Sequence, residues 1–166
     1  MSRKLKLLSM EISSLLMTQL GHELENYTLY KMFANYYAVE GILPLEEYFK
    51  KRADEELLHH DWVFNYLNEA DCDIQYPNVK IEKKISSLID PFVQTIAKEI
   101  ETTQMIYKIA DQALKEKDYM TFNWLNQHLI KEQIEEENTS RMAKQIMELE
   151  ADLLEKAEQV LELLED

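Results

Sequence analysis

An all-α fold, with four long helices in a bundle, one long crossover and a short fifth helix at the C-terminus, is what this sequence predicts. Three observations carry it. The 166 residues include only 2 Gly and 3 Pro, so few backbone breaks are written into the chain. The composition leans on Leu, Glu, Lys, Ile and Met, which favour helices, and no Asn-Gly or Asp-Gly hairpin turn occurs. Four long segments carry apolar residues at helical spacing, joined by connections of unequal length. The length suits one domain with a real core.

The first helix runs from about Ser9 to Tyr37. The stretch Gly41-Ile42-Leu43-Pro44 turns the chain, and Pro44 fits the first turn of a second helix reaching about Glu69. A longer connection, Asp71 to Ser86, follows, with Pro77-Asn78 as its turn signal. The third helix begins near Ser87 or Asp90, either of them a fit N-cap, with Pro91 in its first turn, and ends near Lys115. The polar turn Lys115–Asp118 leads into a fourth helix ending near Glu148, and Ala151–Asp166 reads as a Leu-rich acidic helix. Short first and third connections make their helix pairs antiparallel neighbours. Helices of about 27 residues span about 40 Å, which about 15 extended residues at up to about 3.5 Å each can cross. Residues 1–148 are expected to form the bundle, and residues 149–166 a helix packing on or beside it.

The formal charge of -14 repels phosphate backbones and argues against nucleic-acid binding. It would attract cations, although solvated helix faces give the same count. Cys72 is the single cysteine, which leaves no disulfide framework or thiolate zinc site and fits a reducing cytoplasm. The segment Met1 to Leu8 carries Arg3, Lys4 and Lys6 but lacks a long apolar core and a small-residue cleavage site. No stretch approaches a membrane span.

Against this background a few residues break the apolar pattern. The buried stripe of the first helix reads Leu16, Leu20, Glu23, Tyr27, Tyr30, Ala34, Tyr37, with Glu23 in its middle. The second reads Leu45, Phe49, Arg52, Glu56, His59, Val63, Tyr66, and Glu56 and His59 share one face a turn apart. The third reads Leu88, Phe92, Thr95, Glu99, Thr102, Ile106, Ile109. Any one inward Glu could pair with Arg52 or hydrogen-bond to a tyrosine. Three helices each placing one at similar depth is a coincidence of another kind, because carboxylates converging in a core repel unless a cation neutralises them. Carboxylates with one imidazole suit iron or manganese. On the fourth helix the apolar seam enters through Phe122, Leu125 and Leu129 and leaves through Met142, Ile146 and Leu149. Extended from the first side it reaches Glu132 and Glu136; worked back from the second it reaches Glu135. Glu137 is expected to be solvated.

These residues resemble bacterial non-haem ferritin over roughly Ser14 to Leu149. The matching strings are Gly-His-Glu23-Leu-Glu-Asn-Tyr-Thr-Leu-Tyr30, Ala-Asp-Glu55-Glu56-Leu-Leu-His59, Glu99 with Thr103-Gln104, and Asp118-Tyr119 with Phe122-Asn123, then Glu132 to Glu137. The resemblance implies a ferritin-like bundle in which Glu23, Glu56 and His59 hold a first iron, Glu56 bridges to a second, and Glu99 is the main ligand of that second. Gln133 and Glu136 stand beside it, Glu55, Glu132 and Glu135 match an accessory third iron site, and Tyr30 matches an electron donor next to the diiron centre. It implies a cytoplasmic ferroxidase that takes Fe(II) with O2 or H2O2 and stores ferric mineral in a homo-oligomeric shell of 24 subunits, without haem. Leu57 stands where the haem-binding relative would carry methionine. Two departures stand out: one extra residue between Asp118-Tyr119 and Glu132-Gln133, and a tail lacking the usual Gly-containing turn. Two rival readings remain open, a non-storage diiron oxidase or peroxidase on the same bundle, and a metal-free helical interaction protein.

Overall fold

Helix boundaries follow from local chemistry at each end. In the computed structural model, which describes residues 8–82 and 84–165, α1 spans Met10–Val39, with the Ser9 side chain accepting from the Ile12 amide as N-cap. Arg3, Lys4 and Lys6 lie outside the described residues. The second helix, α2 (Leu43–Glu69), starts with Pro44 in its first turn. The third, α3 (Asp90–Lys115), is capped by neither residue the sequence suggested: its N-cap is Ile89. Asp90 instead turns its carboxylate back on the preceding turn and accepts from the amides and hydroxyls of both Ser86 and Ser87. These four bonds hold its pKa down to about 2. The C-termini of α1, α2 and α3 all close through a residue of positive φ: Gly41, Asp71 and Lys117. In each case the next amide reaches back to a carbonyl of the last turn, as Ile42 does to Tyr37, Cys72 to Leu67 and Asp118 to Ala113.

The fourth long segment is not the single α-helix the sequence suggested. It comprises α4 (Tyr119–Leu125), a π-helical turn (Asn126–Ile130) and α5 (Lys131–Glu148). The wider turn explains an otherwise awkward spacing. Thr121, Leu125, Leu129 and Gln133 are all buried, yet three successive steps of four residues drift by about 120° in α geometry. A π turn takes up one residue, about 100° of rotation, and brings the side chains back into line. Beyond it the seam continues through Glu136, Ser140, Ala143 and Met147. That corrects the exit expected through Met142 and Leu149, which are half exposed, while Ile146 packs only at the edge of the core.

The long α2–α3 connection crosses the bundle lengthwise. Cys72 and Ile74 pack against the apolar cluster at one end, Ile81 and Ile85 against the cluster at the other. Midway, Pro77 lies on α1 at Gly21, where an added Cβ would come within 2.1 Å of the proline Cγ. Only glycine admits so close an approach. The tail helix α6 (Leu153–Glu162) starts on an Asp152 N-cap and packs against α2 and α5, burying Ala157 and Val160. Leu154 of the same helix is exposed. Without a glycine to end α5, the Lys156 ammonium donates to the carbonyls of Met147 and Leu149 and satisfies that helix end. No described helix is long and apolar enough to cross a membrane.

The apolar core is in two parts. One cluster holds Phe33, Tyr37, Phe49, Phe92 and Val160, the other Ile12, Leu16, Leu67, Ile109 and Leu125. A layer of buried polar side chains separates them.

Candidate metal centre

Each long helix contributes to that layer from its middle. Glu23 comes from α1, Arg52, Glu56 and His59 from α2, Glu99 from α3, and Gln133 and Glu136 from α5; every one is buried. Two groups of three offer ligand atoms that all lie within 4.8 Å of one another: Glu23, Glu56 and His59, and Glu56, Glu99 and Glu136. Glu56 belongs to both. Its two oxygens, and Oε2 of Glu23, are buried without a hydrogen-bond partner. Orphaned carboxylate oxygens aimed at one point are costly in a core, and a cation is the partner that relieves them. Gln19, one turn before Glu23, fixes the other oxygen of Glu23 with a 2.6 Å bond. The sequence reading missed it, although a polar residue four positions before Glu23 on the same face was the available signal.

Electrostatics show what the cluster needs. Burial, then the charge of Glu56, pushes Glu23 well above the ordinary carboxylate range. Burial does the same for Glu136, against the pull of His59. Glu99 rises too, from burial and from Glu56. Burial also acts upward on Glu56, but His59 outweighs it and holds its pKa below normal. His59 itself resists ionisation through burial, yet Glu136, Glu56 and Glu23 raise it to about 10. Its ring nitrogens stand 3.8 Å from Glu56 and 3.6 Å from Glu136, too far for good hydrogen bonds. Glu23, Glu136 and His59 thus all hold a proton more readily than they would in water. Two bare carboxylates 4 Å apart would repel by about 4 kcal/mol at an effective dielectric of 20.

Glu99 differs from the others in being fully partnered. Tyr30 donates to its Oε1 at 2.7 Å, Arg52 Nη2 donates to the same oxygen at 2.7 Å, and Gln133 donates to Oε2 at 2.9 Å. Burial and the neighbouring Glu99 charge hold the Tyr30 hydroxyl in its neutral form.

The π turn decides which polar side chains of α5 face inward. Gln133 and Glu136 do, so the extra residue leaves them in place. Glu132 and Glu135 do not reach the centre. With Glu55 they line an open cleft between α2, α5 and the end of α6, beside Arg52, His59 and Trp62. Among the described residues Glu55, Glu132 and Glu135 form no close three-ligand group. Glu137 is not the freely solvated acid expected: it accepts from Thr103 and, at 3.0 Å, from Arg141.

The Ferritin family, described as a ferritin-like domain, matches residues 13–150. The chain belongs to it. Among relatives of this ferritin-like chain, bacterial non-heme ferritin of Staphylococcus aureus is 30% identical over 133 residues, 80% of each chain. That of Staphylococcus epidermidis is 30% identical over 134 residues, again 80% of each. An open-pore ferritin from the hyperthermophilic archaeon Archaeoglobus fulgidus superposes with a TM-score of 0.86 at 24% identity, covering 94% of this chain and 96% of that one. A humanized archaeal ferritin gives 0.86 at 24% identity, covering 93% and 97%. At that identity the two structures speak for the fold.

Proposed function

We propose that this ferritin-like chain is a ferroxidase ferritin, which oxidises ferrous iron between Glu23, Glu56, His59, Glu99 and Glu136 and stores the ferric product. The observation that carries the reading is the pair of three-ligand groups sharing Glu56. One carboxylate common to two ligand sets suits two adjacent cations. Iron is the substrate. Two ferrous ions each give up one electron, and O2 or H2O2 takes both together with two protons, yielding peroxide or water. The chain supplies negative ligands that favour the higher charge of ferric iron. Protons leave Glu23, Glu136 and His59 as metal enters. Tyr30, hydrogen-bonded to Glu99, is in this reading an electron donor that, with one further ferrous ion, would carry peroxide on to water. The acids of the cleft, Glu55, Glu132 and Glu135, would draw ferrous iron toward the centre or hold a third ion. In this reading the protein works in the cytoplasm as a homo-oligomeric shell, of 24 subunits if the family assembly holds.

Anaerobic ferrous titration of the metal-free protein, followed by air, tests this by ultraviolet absorbance in wild type and Glu56→Ala. The expected result is saturation at about two irons per chain and rapid oxidation that the variant loses. Iron oxidising no faster than in buffer would end the ferroxidase reading. Size-exclusion chromatography of the iron-loaded protein separates storage, which needs a large mineral-bearing shell, from a non-storage diiron oxidase.

A further inference from the structure

Four carboxylates, Glu23, Glu56, Glu99 and Glu136, would balance two divalent ions, and Arg52 adds a positive charge that Glu55, at the rim of the cleft, answers. Its side chain is 1% exposed, and a guanidinium keeps its charge even when buried. It sits at one of the two metal positions and not the other. At the first position, Oε2 of Glu23 and both oxygens of Glu56 are unpartnered. At the second, Arg52 Nη2 occupies Glu99 at 2.7 Å and Nη1 stands 3.8 Å from Glu136. Nη1 also donates to Glu55 at 2.8 Å, and Glu55, 39% exposed, opens on the cleft lined by Glu132 and Glu135.

We infer that Arg52 is a tethered cation holding the second metal position, so that the first ion binds freely and the second only as Arg52 leaves Glu99, keeps Glu55 and swings out toward Glu132 and Glu135. This rests on the diiron reading above. Like charges at close range in a poorly solvated layer repel, so a guanidinium bonded to Glu99 weakens the second position for a cation. Leaving costs Arg52 its contacts with Glu99 and Glu136; it keeps Glu55, and the cleft adds Glu132 and Glu135. Arg52 is therefore a positioning residue that makes the two metal positions unequal and their filling sequential.

Manganous ion, titrated into metal-free wild type, Arg52→Gln and Arg52→Lys, tests this by calorimetry and by electron paramagnetic resonance, which separates single from spin-coupled pairs. Wild type is expected to bind one ion tightly and a second at least tenfold more weakly. Arg52→Gln should tighten the second at least tenfold and populate the coupled pair at lower loading. Arg52→Lys, which keeps a charge, should preserve most of the gap. Two equal ions in wild type, or a second affinity unchanged in Arg52→Gln, would overturn the inference while leaving the diiron reading intact. No binding of manganous or ferrous ion by wild type would defeat the diiron reading itself. Should Arg52→Gln not fold, a crystal structure of wild type with both positions filled decides: Nη2 must have left Glu99, and an intact Arg52–Glu99 pair beside two ions overturns it.

Discussion

Deleting Gln127 is the most direct way to ask whether the π turn sets the register of the metal layer. Gln127 lies in that turn and is exposed. If the turn absorbs the loss, it becomes ordinary α-helix, and Gln133, Glu136, Ser140, Ala143 and Met147 stay inward. If it does not, α5 rotates by about 100°. Ile134, Glu137, Arg141, Lys144 and Glu148 would then take the buried places. Burying charged groups without matched partners costs several kcal/mol each, enough to exceed a total stability of about 5–15 kcal/mol. The expected outcome is a folded variant that still binds manganous ion, with stability changed by about 1 kcal/mol or less. For a chain of this size that is a melting shift of about 2–4 °C. Deleting exposed Asn138, inside α5 and far from the turn, removes the same length of chain where nothing can absorb it, and should unfold or severely destabilise the protein. Circular dichroism melts and metal titration read both variants. A Gln127 deletion as damaging as that of Asn138 would refute the account of the turn.

Three further outcomes are expected. Lys117 is exposed and holds a φ of 58°, so Lys117→Gly should relieve left-handed strain and raise stability by about 1 kcal/mol in chemical denaturation; a loss would contradict it. Gly21→Ala should destabilise by about 1–3 kcal/mol through its clash with Pro77, and an unchanged melting point would show that the crossover gives way freely. The metal layer also sets a pH dependence. His59 rises from 6.5 to about 10 on folding, and Glu23 and Glu136 rise as well, so the folded state binds more protons than the unfolded one. The stability His59 brings is complete below pH 6.5 and is lost as pH rises through about 10. The metal-free melting point should therefore fall across that window, and saturating manganous ion, which replaces the protons, should flatten the slope; a melting point that climbs with pH would contradict the assigned protonation.

Much of this architecture is written in residue periodicity, and its omissions have physical reasons. Glu23, Glu56, His59 and Glu99 were legible because each interrupts an apolar seam whose phase is fixed on both sides by large side chains. On the fourth helix the phase comes from Leu125 and Leu129 at one end and Ala143 and Met147 at the other. A π turn between them has no compositional mark, so Gln133 and Glu136 could not be told from Glu132 and Glu135. Arg52 was visible as a seam residue, but its choice of Glu99 depends on the spacing between α2 and α3, which a single helix pattern does not contain. The break before α6 was expected near Glu148, but not what closes it: Lys156 reaches back across the turn and does the work usually signalled by glycine.

The division of the apolar core by a charged layer bears on how the molecule holds together in time. Each cluster has its own reservoir of burial, one anchored by Phe49 and Val160, the other by Ile12 and Leu125, so either end can open without exposing the other. In the proposed function the layer between them is joined by contacts that would change with loading: hydrogen bonds and Arg52 without metal, shared ions with it. An ion bound by four helices works as a rivet through the midplane, and it would turn two loosely coupled halves into one cooperative unit. Occupancy of the centre should then be legible in amide hydrogen exchange at both ends of the bundle, far beyond the reach of any ligand.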